Sequence, residues 1–390
     1  MRIAFLTNEF ATELFGLGGL ASYIHRMARA LLRQGHEVEV FVTSDQEPRL
    51  VDFDGLPVHR VATNTSLYAR AVRKLAALAG AGICGHVFFA SLGLAQALMS
   101  RHRAAPFDIV QSPDYMALGL MVPNDQGFCH VVRCSYAVDL YAEIDGIPQN
   151  FGSRLLARLV LQSMRRAHGI YAPSRWIAEH FQKTHGMDVK VLRPPLGREI
   201  EPAPEVPVGL PDRFLLHYGQ LIKRKGTEWL CAALREAFER EPELNVVVVG
   251  NDTFGTVYRQ FAALGKFRSR VLLLHALPKP LLFAVLQRAE AAILPSLVDN
   301  LPNAVIESLS FGIPVIGTRG ASIDELVEPG VTGELAEPGD VQGLADAIIR
   351  VWRNQSSAKK GFHWCGDLVD AMQPETATRM FIEFCRQIRS

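Results

Sequence analysis

The sequence lacks the cysteine spacing of a zinc site or a disulfide framework. Its 390 residues contain six cysteines and no C-x-x-C pair. The six are Cys84, Cys129, Cys134, Cys231, Cys365 and Cys385. Because cysteine-based zinc motifs and small secreted scaffolds both need closely spaced cysteines, the spacing excludes both classes. Reduced, buried thiols are the expectation, and they indicate a cytoplasmic protein.

The sequence also lacks an excess of charge of either sign and any long polar tract. Lysine and arginine number 41 against 40 acidic residues, which leaves a net charge of +1. A chain so balanced has no overall field for nucleic acid, and we expect no nucleic-acid partner. With 48% hydrophobic and 21% charged residues, the composition excludes wholesale disorder. No long apolar run follows Met1, so we expect no export signal.

One uncharged stretch, residues 75–100, is long enough in principle to cross a bilayer. Gly80, Gly82 and Gly85 interrupt it. Glycine punctuation more simply divides two helices of a globular domain, which is the interpretation we favour, with a membrane span as the alternative.

The region 60–103 around this stretch is basic and contains no acidic residue. Its basic residues are Arg60, Arg70, Arg73, Lys74, Arg101 and Arg103. Such a region is suited to anionic lipid headgroups. A solvated basic helix face fits the pattern equally well. The sequence therefore leaves open a peripheral contact with the inner face of a membrane.

Short β-branched segments alternate with helical patterns in both halves of the chain, which predicts parallel sheets covered by helices. In the first half we predict strands at 2–6, 37–42, 108–111, 130–133, 170–172 and 189–192 and a helix at 20–34. In the second half we predict strands at 214–218, 245–249, 271–274, 292–294 and 314–317, helices at 227–238 and 303–311, and a helix-opening capping box at 322–325.

Six prolines between residues 194 and 211 indicate an interdomain linker. We therefore predict an α/β protein with two doubly wound, Rossmann-like domains that face one another across a cleft. The first domain is residues 1–200 and the second is residues 201–374. Residues 375–390 form a C-terminal helix that packs back on the first domain.

Two predicted loops have the residues of an anion site. Gly18 and Gly19 precede a helix, so the backbone can approach a ligand and the helix N-terminus offers N–H groups to an anion. Their spacing is not G-x-G-x-x-G, and a flexible glycine loop is the alternative. Lys223, Arg224 and Lys225 lie between a predicted buried strand and a helix. Three cations beside a helix start are suited to a pyrophosphate.

A third loop carries two carboxylates, Asp299 and Glu307, eight positions apart. Asp299 is on the loop and Glu307 on the following helix, so both can point along one cleft wall. Carboxylates bind sugar hydroxyls well because they are pure acceptors. The apolar neighbours Val305, Ile306 and Leu309 argue against a solvated position for Glu307. The loop has no Asp-x-Asp pair, and we predict no metal site.

The element formed by Asp299 and Glu307 is followed by Gly312-Ile313-Pro314-Val315. In this it resembles the E-x7-E element of the retaining, nucleotide-sugar-dependent glycosyltransferases of family four, which have the GT-B fold. The similarity covers nearly the whole chain and includes Gly18-Gly19, residues 35–38, residues 172–174, Lys225-Gly226 and residues 334–340.

The resemblance implies transfer of a hexose from a nucleoside diphosphate sugar to an acceptor hydroxyl, with retention and without a metal or cofactor. The products would be glycans, glycolipids or cell-envelope polysaccharides, and the acceptor a glycan, a lipid-linked sugar or a small molecule. The implied catalytic residues are Asp299 and Lys225. The implied donor-binding residues are Gly18, Gly19, Gln220, Arg224, Lys225, Leu301, Pro302, Asn303, Ala304 and Glu307, and the acceptor-side candidates are Asp114 and Ser135.

Two departures from the family pattern keep other functions open. Gln220 stands where the family usually has arginine, so Arg224 or Lys223 would supply the missing phosphate contact. Ser135 stands where many members have a histidine, and His130 lies five residues earlier. A noncatalytic nucleotide-sugar binding protein is therefore one alternative. A GT-B sugar epimerase or phosphorylase is the other, although its acid, base or pyridoxal phosphate residues are not visible.

Overall fold

In a computed structural model, the described residues are 1–13, 18–63, 67–196, 203, 205–252, 255–354, 364 and 366–389, so Gly16, Leu17 and Cys365 lie outside them. The chain divides into two compact units. Unit 1 comprises Met1–Leu196 and Asp370–Ser390, and unit 2 comprises Gly197–Val369. The sequence-based boundaries, after residues 200 and 374, lie within a few residues of these.

Unit 1 contains an eight-stranded sheet. Its strands are β1 (Arg2–Thr7), β2 (Glu37–Ser44), β3 (Leu50–Phe53), β4 (Leu56–Ala62), β5 (Ile109–Pro113), β6 (Cys129–Arg133), β7 (Gly169–Ala172) and β8 (Lys190–Val191). The order is β3-β4-β2-β1-β5-β6-β7-β8, and only the β3–β4 pair is antiparallel among the described strands. The central strands are buried on both faces, as helix-covered parallel strands require.

The helices of unit 1 cover this sheet. They are α1 (Gly19–Arg33), α2 (Leu67–Leu78), α3 (Gly82–Ala104), α4 (Val138–Ile144), α5 (Phe151–Arg166) and α6 (Arg175–His185), joined by α13 (Pro374–Gln387) from the end of the chain. On α13, the rings of Phe381 and Phe384 lie 5.8 and 6.1 Å from the ring of Tyr171 on β7. The C-terminal helix thus completes the core of unit 1.

The uncharged stretch forms parts of two helices, with a break between Leu78 and Gly82. The two-helix interpretation is therefore the correct one. Among the helices of the described ranges, only Gly82–Ala104 has the length and composition of a membrane span, and 56% of its most apolar window is buried inside the structure. A core helix of a globular domain passes the same test, so this helix does not by itself indicate a span.

Unit 2 contains a six-stranded parallel sheet in the order β11-β10-β9-β12-β13-β14. Its strands are β9 (Leu215–Gln220), β10 (Val246–Asn251), β11 (Val271–Leu274), β12 (Ala292–Leu294), β13 (Val315–Thr318) and β14 (Gly333–Ala336). Its helices are α7 (Thr227–Arg240), α8 (Val257–Ala262), α9 (Lys279–Arg288), α10 (Asn303–Ser310) and α11 (Val341–Arg353), and α12 (Asp367–Ala371) spans the boundary with unit 1.

Each sheet reverses its direction of growth at one place. In unit 2 the chain runs outward from β9 to β11 and then crosses to β12, which pairs with the other edge of β9. In unit 1 the reversal lies between β1 and β5. Ligands of open α/β sheets bind where the strand order reverses, at the carboxyl ends of the strands. The loops after β9 and β12, and those after β1 and β5, are therefore the places to look for a site.

Candidate active site

The loops that follow β9 and β12 are joined directly in unit 2. The Leu297 N–H donates to the Arg224 carbonyl at 2.8 Å. Gly226 has a φ of +73°, and a Cβ there would clash with the Pro295 carbonyl oxygen. Both the left-handed backbone and the close approach require glycine at this position. The Lys-Gly pair is therefore fixed against the loop that carries Asp299.

Lys225 and Asp299 form an ion pair where these two loops meet. Asp299 Oδ2 also accepts a hydrogen bond from Ser296 Oγ at 3.0 Å, and Oδ1 accepts one from the Asn300 N–H at 3.0 Å. The Asp299 side chain is only 12% exposed, whereas that of Lys225 is 28% exposed. The structure thus brings together the two residues that the sequence analysis named as catalytic.

Glu307 lies on α10 and pairs with a residue that the sequence analysis did not name. Lys279, the first residue of α9, donates from Nζ to Glu307 Oε1 at 2.5 Å. The Glu307 side chain is 10% exposed and that of Lys279 is 40% exposed. The expectation that Glu307 is not simply solvated is therefore correct, and Lys279 determines where one of its oxygens points.

The loop between Asp299 and α10 has an uncommon backbone. Leu301 has a φ of +54°, which a residue with a side chain rarely adopts. Its N–H donates to Ser322 Oγ at 2.6 Å, and Ser322 Oγ is 3.4 Å from the Asp299 carbonyl oxygen. Strained backbone held by tertiary contacts is typical of functional sites.

The prediction of a capping box at 322–325 is wrong, because the Ser322 side chain does not cap a helix. Ser322 has a left-handed φ of +57°, makes no cap hydrogen bond, and precedes a three-residue 3-10 turn at Ile323–Glu325. Its hydroxyl serves the Leu301 loop instead of a helix end. The Ser322 hydroxyl, which the local sequence pattern assigns to a helix cap, thus makes a tertiary contact with Leu301.

The other donor-side candidates of unit 2 have different surroundings. Gln220 is exposed, and its Oε1 accepts a hydrogen bond from Arg224 at 3.3 Å. The Leu301 side chain is buried, and Pro302 precedes α10 without a side-chain cap. Asn303 and Ala304 begin α10, and the Ala304 carbonyl accepts from the hydroxyl of buried Tyr218 at 2.6 Å. Arg224 is the cation next to Lys225 in the chain.

The glycine loop of unit 1 does not present free helix amides, contrary to the sequence-based expectation. The Leu20 and Ala21 N–H groups donate to Glu9 Oε1 at 3.0 and 3.2 Å. A Cβ at Gly18 would clash with this carboxylate. Burial raises the pKa of Glu9, and the two amide hydrogen bonds oppose that rise. Gly18 and Gly19 therefore surround a carboxylate of the chain itself.

The two acceptor-side candidates lie together in the loops after β5 and β6. Asp114 is fully buried and accepts from the Ser135 N–H at 2.6 Å and from the Tyr136 N–H at 3.1 Å. Burial raises the pKa of Asp114 to about 7, although these backbone hydrogen bonds and the charge of Arg133 lower it. Ser135 Oγ accepts from Arg133 at 2.6 Å. Asp114 thus ties two loops together at one edge of the sheet.

His130 is a core residue and does not replace the family histidine. Its Nε2 is 2.9 Å from Ser112 Oγ, and burial lowers its pKa to about 3. The imidazole is therefore neutral near pH 7 and enclosed.

Two family patterns match the chain in succession. The pattern described as Glycosyltransferase Family 4 matches residues 17–196, and the pattern described as Glycosyl transferases group 1 matches residues 212–354. The two matches take in most of both sheets. The chain belongs to the group 1 glycosyltransferases of family 4. It has their GT-B fold with two Rossmann-like domains.

Curated relatives of this glycosyltransferase are distant. The MMP alpha-(1->4)-mannosyltransferase of Mycolicibacterium hassiacum is 25% identical over 382 residues, which are 90% of this chain and 89% of the relative. The uncharacterized glycosyltransferase YqgM of Bacillus subtilis is 23% identical over 203 residues, which are 52% of this chain and 55% of that protein. The chain thus spans about half the length of YqgM.

Solved structures resemble this glycosyltransferase over its full length. Sucrose-phosphate synthase from Thermosynechococcus elongatus superposes with a TM-score of 0.76 at 16% identity, covering 100% of this chain and 99% of that one. The HepE protein of Anabaena, in complex with UDP and glucose, superposes with a TM-score of 0.70 at 18% identity, covering 99% of both chains. At such identities the likeness establishes the fold.

Unit 1 of the glycosyltransferase also contains a pocket that the sequence analysis missed. It is lined by residues at the ends of β1, β2 and β4 and on α3, among them Asn8, Ser44, Thr63 and His86. Within the described part of the chain, buried Asn8 Oδ1 has no hydrogen-bond partner. The polar side chains of this lining are suited to a ligand that carries hydroxyl groups. Only the sheet order, which puts these strand ends side by side, could have revealed the pocket.

Proposed function

We propose that this chain is a retaining hexosyltransferase that uses a nucleoside diphosphate sugar as donor and a hydroxyl group as acceptor. Its products are glycans, glycolipids or cell-envelope polysaccharides. The observation that carries the proposal is the ion pair of Lys225 and Asp299 at the place where the sheet of unit 2 reverses, with Glu307 on the next helix, α10. The cation suits a diphosphate, and the two carboxylates suit the hydroxyls of a hexose and a ribose.

The hydrogen bonds of Asp299 couple its sugar contact to the diphosphate contact. A carboxylate has about four acceptor positions. Three donors, from Lys225, Ser296 and Asn300, already point at Asp299. A diphosphate that draws Lys225 away releases an acceptor position for a sugar hydroxyl. A complete donor therefore replaces the Lys225–Asp299 ion pair with two contacts. Its diphosphate binds Lys225, and its sugar hydroxyl binds Asp299.

Electrostatic stabilisation of the leaving group is the proposed source of catalysis. The diphosphate gains negative charge as the glycosidic bond breaks, and a preorganised cation such as Lys225 stabilises it more strongly then than in the ground state. Arg224, which is held by Gln220, supplies the charge of the family's missing arginine. We propose that the reaction proceeds on one face of the sugar without a carboxylate nucleophile, a metal or another cofactor.

The pocket lined by Asn8 and His86 is the proposed acceptor site. The polar side chains of its lining favour a hydroxylated acceptor, such as a glycan, a lipid-linked sugar or a small polyol. Asp114 and Ser135 are proposed to position the adjoining loops, because Asp114 is enclosed by backbone N–H groups.

The test is a screen of UDP, GDP and ADP sugars by thermal shift, followed by turnover with candidate acceptors. A ligand that binds only the folded chain raises the melting temperature by mass action. The proposal requires one nucleotide class to bind and its sugar to appear on an acceptor with the anomeric configuration of the donor. Inversion of configuration, or binding without turnover on any acceptor, would contradict it.

Each alternative function predicts a different result when the chain is incubated without a glycosyl acceptor for the donor sugar. An epimerase would convert the sugar nucleotide without an acceptor. A phosphorylase would release a sugar phosphate from an oligosaccharide and inorganic phosphate. A noncatalytic binding protein would bind the donor and turn over neither substrate.

We also propose that the protein is cytoplasmic and contacts the inner face of a membrane through the tip of the α2–α3 hairpin. Large apolar side chains are exposed there and at the start of α5, with exposed fractions of 65% for Leu75, 78% for Leu78, 47% for Ile83 and 59% for Phe151. Arg70 and Lys74, both exposed, flank them. Apolar side chains beside cations are typical of surfaces that enter the headgroup region.

Not all of the basic region 60–103 is suited to this contact. Arg60 is buried and pairs with Glu13 at 2.8 Å, and Arg101 pairs with Glu39 at 3.0 Å. Acidic residues from outside the region therefore neutralise these two charges. The proposal rests on the helix tip alone.

Co-sedimentation with anionic vesicles tests the contact. Leu78→Ser should reduce binding to phosphatidylglycerol vesicles, whereas Val331→Ser, which changes an exposed apolar residue of unit 2, should not. Equal binding by both variants and the unaltered chain would contradict the proposed surface.

A further inference from the structure

Three possible metal ligands lie together in unit 1. Asp139 is in the first turn of α4, and His180 and His185 are on α6. Each offers one ligand atom, and the three atoms lie within 4.8 Å of one another. Within the described ranges of the chain, they are the one cluster of three or more histidine, cysteine, aspartate or glutamate side chains that could share a metal ion.

Both imidazoles approach the same carboxylate oxygen. Asp139 Oδ2 is 3.0 Å from His180 Nε2 and 3.3 Å from His185 Nε2. Ligands bound to a tetrahedral zinc ion at about 2.0–2.1 Å are separated from one another by about 3.3 Å. Two of the three separations are therefore close to the edges of a zinc coordination tetrahedron, and the third is at most 4.8 Å.

The chemistry of the three side chains also matches. Two imidazole nitrogens and one carboxylate oxygen are a common ligand set for zinc in proteins. An aspartate carboxylate is ionised near neutral pH, as a metal ligand must be.

The site is open to solvent. The side chain of Asp139 is 36% exposed, and those of His180 and His185 are 20% and 18% exposed. An ion can therefore enter from water, and a water molecule can complete the coordination.

We propose that Asp139, His180 and His185 bind one divalent transition-metal ion, zinc by preference, with a water molecule as fourth ligand. The ion links α4 to α6. Helix α4 begins at Val138, two positions after Tyr136. The ion therefore also fixes the loop of Ser135 and Tyr136 that surrounds Asp114. This site is separate from the proposed leaving-group chemistry, whose residues belong to unit 2.

Metal binding by the untagged, chelator-treated chain is the test. Zinc is titrated in competition with a chromophoric chelator, and cobalt(II) is added in a parallel titration to report geometry. We expect one equivalent of zinc to bind and cobalt to give the intense visible absorption of a four-coordinate site. His180→Gln and His185→Gln should each weaken zinc by about a hundredfold or more, since loss of an outer-shell partner alone costs about 10- to 100-fold.

His275→Gln is the matched control, because His275 is exposed and belongs to unit 2. It should retain the zinc affinity of the unaltered chain. Zinc affinity in His180→Gln and His185→Gln equal to that of the control would overturn the proposal.

The cobalt spectrum of the unaltered chain is a second readout, and it does not depend on whether any variant folds. A weak six-coordinate spectrum without saturable zinc binding would overturn the proposal. The melting temperature of each variant without metal identifies any that has lost its fold.

Discussion

Replacing Glu307 by glutamine should separate nucleotide binding from folding in unit 2. The proposed role of this carboxylate is to accept the ribose hydroxyls of the donor. A hydrogen bond to a charged group is worth about 1.5–3 kcal/mol, so Glu307→Gln should weaken nucleoside diphosphate binding by roughly 10- to 100-fold. The fold should change little, because the lost partner, Lys279, is 40% exposed and can turn into water.

Isothermal titration with two ligands makes the prediction specific. The unaltered chain and Glu307→Gln are each titrated with the preferred nucleoside diphosphate and with its 2′,3′-dideoxy analogue. The ribonucleotide should lose affinity in the variant, whereas the analogue, which has no ribose hydroxyls to lose, should bind both proteins almost equally. An equal loss for both ligands would refute the ribose contact, and so would an unchanged affinity for the ribonucleotide.

Lys279→Met provides the matched control for this experiment. It removes the same ion pair and leaves the carboxylate in place. If the ion pair only positions Glu307, this variant should lose less affinity for the ribonucleotide than Glu307→Gln does. A larger loss would assign the main contact to Lys279.

Three further changes address the other residues of the two units. Lys225→Ala should lower turnover more than it raises the donor KM, because the diphosphate charge grows during bond cleavage; a raised KM with unchanged turnover would reduce the lysine to a binding role. Asp299→Asn should lower sugar transfer far more than nucleoside diphosphate affinity, because it releases Lys225 and replaces an oxygen that accepts a hydrogen bond from the sugar with an NH2 group that donates one. Turnover at the original rate would argue against a sugar contact. Asp114→Asn should flatten the pH dependence of stability: burial raises the folded-state pKa from 3.8 to about 7, so the stabilisation is complete below about pH 4 and is lost as the pH rises through about 7. The check is the melting temperature of the unaltered chain and of Asp114→Asn between about pH 4 and 8. The same change of melting temperature with pH in both proteins would contradict the prediction.

The sequence predicts the strands of both sheets because each core strand is a short apolar run beside a helical pattern. It does not predict β3, β4 or β14. Both β3 and β14 have only four residues and lie at a sheet edge, and β4 lies next to β3. The signal that could have found β3 and β4 is the Asp54-Gly55 pair between them, where both residues have positive φ. An Asp-Gly pair flanked by strands is a strong hairpin signal.

The site is only partly predictable because its contacts cross long stretches of sequence. Lys225 and Asp299 were named by resemblance, but their direct pairing across 74 positions follows from β9 and β12 being neighbours. Glu9 and Lys279 lie in no local motif, so no spacing could have identified them. His180 and His185 are five positions apart, a spacing that does not share a face of a regular helix, and their convergence on Asp139 depends on how α4 packs.

The packing of α13 on unit 1 has a consequence for synthesis of the chain. All the residues of unit 2, 197–369, leave the ribosome before Phe381 and Phe384 do. Unit 2 can therefore complete its core while the first domain still exposes the apolar surface around Tyr171 that α13 covers. Exposed apolar surface of this kind makes folding intermediates prone to aggregation. The first domain to be translated is thus the last to be finished, and a chaperone that binds the nascent chain would protect that surface during this interval.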